Sequence, residues 1–209
     1  MTQGRFISLE GGEGTGKSTQ ASALANALEK QGFSVRLTRE PGGTSGAEII
    51  RELLLTGGED KWHIRTEALL FAAARAEHCA KFIGPALAQG EWVICDRFID
   101  SSRAYQSVNG ELSDADIMNL HQIGSNGLMP DRTFILDLPA AVASRRAAAR
   151  DRGDSDRIGG RASDYHQAVM ANFRRLAAEE PIRIRLVDAS QSAEAITAML
   201  VQNLDDLMP

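Results

Sequence analysis

The segment Glu10-Gly11-Gly12-Glu13-Gly14-Thr15-Gly16-Lys17-Ser18-Thr19 constrains this chain more than any other. From Gly11 to Ser18 it reads Gly-x-x-x-x-Gly-Lys-Ser, between the apolar run Phe6-Ile7-Ser8-Leu9 and a helical pattern in Ala21, Leu24, Ala25 and Leu28. Strand, glycine-rich turn and helix form the context in which such a loop cradles phosphate. The glycines let the backbone approach a ligand closely, and successive N–H groups then converge at the positive end of a helix. Lys17 is placed to reach the outer phosphates of a nucleoside triphosphate, and the Ser18 hydroxyl to ligate Mg²⁺. A turn that binds nothing is the alternative, and the agreement of strand, loop, Lys-Ser and helix argues against it. The loop alone does not name the group that accepts a phosphate.

The rest of the chain reads as α/β. Strands are expected at 5–10, 33–38, 92–96, 133–138 and 182–187. Helices are expected at 17–31, 45–55, 66–89, 113–126, 140–150, 163–180 and 193–207, with a kink or break at Gly84-Pro85. Ser113 is an N-cap, and Gly32 and Gly127 follow helix ends. Five strands alternating with helices predict a five-stranded parallel sheet with helices on both faces. The 209 residues suit one domain, and neither repeats nor low-complexity linkers divide them.

Composition narrows the partners. Hydrophobic residues make up 43% and charged residues 24%, as in ordinary globular chains. The net charge of −5 argues against a broad nucleic-acid face. No apolar run approaches bilayer length, and no leader pattern opens the sequence, so a cytoplasmic protein is expected. Cys79 and Cys95 make neither a disulfide framework nor a metal pattern. His63, His78, His121 and His166 share no ligand spacing and read as structural or surface residues.

Several polar residues fall where parallel sheets bind ligands, beyond the carboxyl ends of the strands. Arg39 and Glu40 open the turn Pro41-Gly42-Gly43-Thr44, either as functional groups or as an ordinary surface ion pair. Asp96 closes an apolar strand and is either a Mg²⁺-shell carboxylate or a helix cap. Arg97 beside it can grip a phosphate with two N–H groups. Phe71, Arg75 and His78 share a helix face: a base-stacking aromatic with a base-reading arginine, or, as periodicity alone favours, a core aromatic with a solvated charge. Ser101-Ser102-Arg103-Ala104-Tyr105-Gln106 adds hydrogen-bonding groups. The arginines from 145 to 161 flank a polar stretch, Asp151 to Arg157. They form a mobile lid of about 148–161 that excludes water from phosphoryl transfer, or a solvated helix end laced with Arg–Asp pairs.

Taken in order, Glu10-Gly-Gly-Glu-Gly-Thr-Gly-Lys-Ser, Thr38-Arg-Glu-Pro-Gly-Gly-Thr, Leu70-Phe-Ala-Ala-Ala-Arg75, Asp96-Arg-Phe, Ser101-Ser-Arg-Ala-Tyr-Gln, Arg152-Gly-Asp-Ser-Asp-Arg-Ile and Val187-Asp-Ala-Ser-Gln resemble the thymidylate kinases over nearly the whole chain. The phosphate loop is generic; the Arg-Glu-Pro-Gly-Gly-Thr turn and the run from Asp96 to Gln106 are much more specific. The resemblance implies a P-loop kinase that moves the γ-phosphoryl group of ATP to dTMP with Mg²⁺, as a homodimer. For ATP it implies Gly11, Gly12, Glu13, Gly14, Thr15, Gly16, Lys17, Ser18 and Thr19, with Asp188, Ala189 and Gln191 beside the adenine. For dTMP it implies Phe71 stacked on the base, Arg75 on its exocyclic oxygen, Ser102 at the N3 edge, Tyr105 under the deoxyribose, and Gln106 and Ser101 as further contacts. Arg97 and Arg39 hold the acceptor phosphate. Glu10 faces the sugar or the metal, and Ser18 and Asp96 complete the metal shell. The loop carries no catalytic arginine, so the lid supplies it, with Arg150, Arg152 and Arg157 as candidates beside Lys17 and Arg97. Gly159 departs from the family, which usually has an acid there. A guanine-reading Asn-Lys-x-Asp is absent, which argues against a GTPase-type switch, and Arg97 argues for a phosphate-bearing acceptor over a nucleoside.

Overall fold

The apolar runs do become one parallel sheet in the computed structural model, which describes residues 4–108, 110–151 and 156–208, with side chains described up to 146 and again from 156. The strands are β1 Phe6–Glu10, β2 Val35–Arg39, β3 Trp92–Asp96, β4 Arg132–Asp137 and β5 Ile184–Asp188. Their order across the sheet is β2-β3-β1-β4-β5. Registers such as Leu9 to Asp96 and Glu10 to Ile135 bring the carboxyl ends to one edge. The chain leaves central β1 toward β2 and later crosses past it from β3 to β4. The crevice at the β1 end is therefore the ligand position for this topology.

Alternation along the strands divides the core into two faces. Ile7, Leu9, Ile94, Phe134, Leu136 and Val187 pack against α1 (Lys17–Lys30) and α9 (Ala193–Gln202). On the opposite face, Phe6, Val93 and Cys95 meet α3 (Ile64–His78), α4 (Gly84–Ala88) and α6 (Asp114–Ser125). Ile135 and Ile184 pack with α8 (Ser163–Glu179). Two more of the expected helices are α2 (Ser45–Leu55) and α7 (Ala140–Asp151).

The expected break near Gly84-Pro85 takes a specific form. A π-helical turn, Cys79–Ile83, joins α3 to α4, and the Gly84 N–H donates to the Cys79 carbonyl. Proline has no N–H and crowds the carbonyl four residues back, so a wider turn just before it keeps the helix running. Ser113 caps α6 in a reciprocal box with Asp116. The second strand starts later than expected because Phe33 turns in to pack on Trp92, ring centroids 5.0 Å apart. The fifth starts at Ile184, since the Arg183 N–H still bonds the Glu180 carbonyl. The last helix stops at Gln202, and a 3₁₀ turn, Asp205–Leu207, follows.

One helix was not foreseen, α5 (Ile99–Tyr105). Its inner face is polar: Asp100 and Arg103 are buried, so the apolar period is missing. Asp100 accepts from Arg103, Arg183 and Thr133, and Thr133 is hydrogen-bonded to Ser8 of β1 at 2.8 Å. This network holds α5, which carries Ser101, Ser102 and Tyr105, to β4 and to the chain leading into β5.

Candidate active site

The phosphate loop owes its shape to glycines at two places above all. Gly11 has φ 133°, and a Cβ there would meet the Leu136 carbonyl oxygen at 2.7 Å. Gly16 has φ 92° directly before α1. Both are left-handed positions that suit glycine. The Thr15 hydroxyl and the Lys17 ammonium donate to the Gly12 carbonyl at 3.0 and 2.7 Å, which closes the loop. Lys17 is buried. Burial, then the charge of Arg97, lowers its pKa to about 8 against Glu13, Asp96 and Glu10. Ser18 donates to Asp96 Oδ2 at 2.5 Å across the gap from α1 to β3.

Beside this loop lies a cavity of about 260 Å³. Its lining includes Lys17, Ser18, Glu13 and Asp96, the arginines Arg39, Arg51 and Arg97, and Phe71, Arg75, Ser102, Tyr105 and Gln106. Arg97 has φ 69°, a left-handed conformation uncommon outside glycine and typical of functional turns. Its guanidinium donates to the Gly11 carbonyl, Ser101 Oγ, Tyr105 Oη and Glu13 Oε1, the last at 2.6 Å. It also lies 5.2 Å from the Tyr105 ring centroid.

Arg75 is not the solvated charge that periodicity favoured. It is 3% exposed. Its Nε donates to Glu40 Oε2 at 2.8 Å, and Nη2 donates to the Phe98 carbonyl and Ser102 Oγ. These three bonds leave Nη1 out. Glu40 also faces His78 Nδ1 at 3.1 Å, while His78 Nε2 lies 2.7 Å from Thr38 Oγ1. His78 is thus held in the structure, and Glu40 is the buried carboxylate that fixes Arg75 and His78. Arg39 pairs with Glu48 at the surface and also lines the cavity.

Two expected site residues lie in buried networks, Glu10 and Arg157. Glu10 was expected beside the sugar or the metal. It is wholly buried and lies outside the cavity lining, accepting from the Phe98 N–H at 2.7 Å and from Ser101 Oγ at 2.5 Å. Burial, then the charge of Asp100, pushes its carboxyl up to about 8 against these bonds and Arg97. Arg157, a candidate lid arginine, is 4% exposed. Its Nε donates to the Leu54 carbonyl, Nη1 to the Glu59 carbonyl and Nη2 to Glu67 Oε2 at 2.5 Å. Its nitrogens are committed to the fold. Arg152 and the side chain of Arg150 lie outside the described residues, as does most of the polar stretch expected to be mobile.

The other expected residues fall in two groups. Gly12, Gly14 and Thr19 stay with the loop and the start of α1. Asp188, Ala189 and Gln191 follow β5 on the same sheet edge but outside the cavity. The Ala189 N–H donates to the Asp137 carbonyl, and Asp188 accepts from the Ser190 N–H and the Gln191 amide. Sequence reasoning missed Arg51, Asp156 and Ile158, which also line the cavity. Arg51 sits on an amphipathic helix where a charge reads as solvated. Its Nη1 instead donates to the Pro41 carbonyl at 2.7 Å, and burial, then Arg39, depresses its pKa.

Sequence comparison decides what this cavity belongs to. A model of the family described as thymidylate kinase matches residues 9–200. The chain belongs to the thymidylate kinase family. It is 55% identical over 206 residues to a thymidylate kinase of Rhizorhabdus wittichii, covering 99% of each chain. It is 46% identical to that of Caulobacter vibrioides over 200 residues, covering 96% of this chain and 95% of the relative. The fold is similar to the crystal structure of thymidylate kinase from Ehrlichia chaffeensis, with a TM-score of 0.76 at 31% identity, covering 97% of this chain and 99% of the other. The five-stranded parallel sheet with flanking helices is the P-loop kinase fold of that family.

Proposed function

We propose that this chain transfers the γ-phosphoryl group of ATP to dTMP, giving dTDP and ADP. One observation carries the reading: a single cavity is lined by phosphate-loop residues, by Arg39, Arg51 and Arg97, and by the Phe71–Arg75 pair. Phosphoryl transfer between two phosphates needs alignment and charge neutralisation rather than a side-chain nucleophile. Lys17 and the amides from Gly11 to Thr19 hold the donor. Arg97, Arg39 and Arg51 hold the acceptor phosphate. Phe71 stacks on the base, Arg75 donates to its exocyclic oxygen, and Ser101, Ser102, Tyr105 and Gln106 surround base and sugar. Asp188, Ala189 and Gln191 flank the adenine. Arg150 or Arg152 completes the charge neutralisation when the lid at about 148–161 closes.

The donor set also suits Mg²⁺. Ser18 Oγ and Asp96 Oδ2 sit together in the cavity lining, a hydroxyl and a carboxylate of the kind Mg²⁺ combines with phosphate and water oxygens. When bound, the ion would neutralise charge on the β- and γ-phosphates.

We further propose one domain over 1–209 acting as a cytoplasmic homodimer. Ile49 and Leu53 of α2, Leu69 of α3 and Ile123 of α6 are exposed on three helices packed side by side. No described helix is long and apolar enough to cross a membrane, and both cysteines are free and buried, as suits a reducing compartment. Leu69→Glu should convert the dimer to monomer in light scattering; a wild-type monomer would exclude the dimer.

Coupled ADP formation tests the activity, with dTMP, dUMP, UMP, CMP, GMP and thymidine offered in turn. Strong turnover of dTMP, weaker of dUMP and none of the others is expected. Turnover of thymidine but not dTMP would overturn the role given to Arg97.

A further inference from the structure

Glu67 has no part in the site described above, yet it is 0% exposed on α3, one turn before Phe71. Its Oε2 accepts from Arg157 Nη2 at 2.5 Å and from Arg161 Nη2 at 2.6 Å. Its Oε1 accepts from Gln106 Nε2 at 3.1 Å. A carboxylate accepts on both oxygens, so the Gln106 group that faces it is the NH₂. The Gln106 carbonyl oxygen is then turned away from Glu67. Gln106 is 2% exposed and lines the cavity, and no protein donor to its Oε1 is found among the described residues.

We propose that Glu67 is a positioning residue that sets base selectivity by locking the Gln106 amide with its carbonyl toward the bound base. The inference rests on the dTMP reading above. With Arg75 as donor and Gln106 as acceptor, the cavity presents the complement of a thymine edge, whose O4 accepts and whose N3–H donates. Cytosine reverses both groups: its 4-amino group donates and its N3 accepts. A carboxylate that never touches the base thus fixes the sign of one of the two bonds that tell them apart. The same carboxylate ties down Arg157 and Arg161, so the base end and the end of the 148–161 segment share one anchor.

The logic gives a signed test. In Glu67→Gln the new side chain must still offer its carbonyl to Arg157 and Arg161. Its NH₂ then faces Gln106, which must turn over and present a donor to the base. Steady-state kinetics with dTMP and dCMP should show KM for dTMP rising and the preference in kcat/KM over dCMP falling roughly tenfold or more, with KM for ATP unchanged. The exchange variant E67Q/Q106E restores every donor–acceptor pair and keeps the buried charge, so it should recover the dTMP preference. It can also be read alone if Glu67→Gln does not fold. An unchanged ratio in folded Glu67→Gln, both substrates losing equally, or an exchange variant without dTMP preference would overturn the inference and leave the kinase reading standing. Wild-type protein inactive on dTMP would instead remove that reading.

Discussion

Removing the charge of Glu40 tests whether the base end depends on a carboxylate beneath it. Glu40 and Arg75 are 5% and 3% exposed and meet at 2.8 Å. In Glu40→Gln the amide oxygen can still accept one bond, but the Arg75 charge keeps only the neutral Phe98 carbonyl, Ser102 hydroxyl and Phe98 ring, the last 5.2 Å away. Breaking one side of a buried ion pair costs about 3–5 kcal/mol. The retained hydrogen bond puts this case near 3, or a fall of roughly 6–12 °C in melting temperature for a chain of this size. Thermal unfolding followed by circular dichroism measures it, and dTMP kinetics on the same protein should show a raised KM for dTMP with KM for ATP unchanged. The double variant E40M/R75M should lose less stability than the sum of the single ones, because no lone charge stays buried. A melting temperature within about 2 °C of wild type for Glu40→Gln would mean that water or a rearranged neighbour compensates Arg75.

Lys17, with its pKa lowered to about 8, should be pulled back to full charge by polyphosphate, so ATP binding takes up a proton and weakens as pH rises through 8; calorimetry in buffers of different ionisation enthalpy reads that uptake, and binding constant from neutral to alkaline pH would contradict it. Glu10 has its folded pKa raised from 4.5 to about 8, so the folded state binds more protons than the unfolded one between those values and loses stability as pH climbs through that window. Glu10→Gln should therefore match wild type near pH 4.5 and exceed it near pH 8 in urea unfolding; a variant less stable at both values would show that the carboxylate is needed ionised. Arg157→Met should lower stability by about 3 kcal/mol, since Arg161 still partners Glu67. A folded Arg157→Met of normal melting temperature that had lost only kcat would return Arg157 to the transition state.

Much of this was legible because the loop, the Pro-Gly-Gly turn and the apolar strands obey local rules. Gly11 and Gly16 are required by backbone conformation, and Ser113 caps the helix it was expected to cap. What stayed hidden are the polar residues that the fold buries. Asp100 and Arg103 erase the apolar period of α5, yet each finds its charge partner inside. Arg75 and Arg157 look identical in sequence, charges on or after a helix that periodicity sends to solvent. Only tertiary contact with Glu40 and Glu67 shows both to be interior, one facing the cavity and the other turned from it. Resemblance brought Phe71, Arg75, Ser102, Tyr105 and Gln106 together, and the structure lines one cavity with them, but it could not show that Glu10 is buried against Phe98 and Ser101.

Among the described residues the cations lining the cavity are engaged by protein acceptors: Lys17 by the Gly12 carbonyl, Arg51 by the Pro41 carbonyl, Arg39 by Glu48, Arg75 by Glu40 and Arg97 by Glu13. Burial first, and then the nearby charge of Arg97 or Arg39, lowers the pKa of Lys17 and of Arg51. These acceptors hold the cations in fixed directions, so under the proposed function incoming phosphate oxygens would meet donors that need little reorientation. Arg97 is the extreme case. Its left-handed backbone follows Asp96 without a spacer, so one sheet edge sends a carboxylate to Ser18 and a guanidinium to Glu13 from adjacent residues. Backbone strain at that position is consistent with a need for both groups within one residue step, at the point where donor and acceptor phosphates would have to meet.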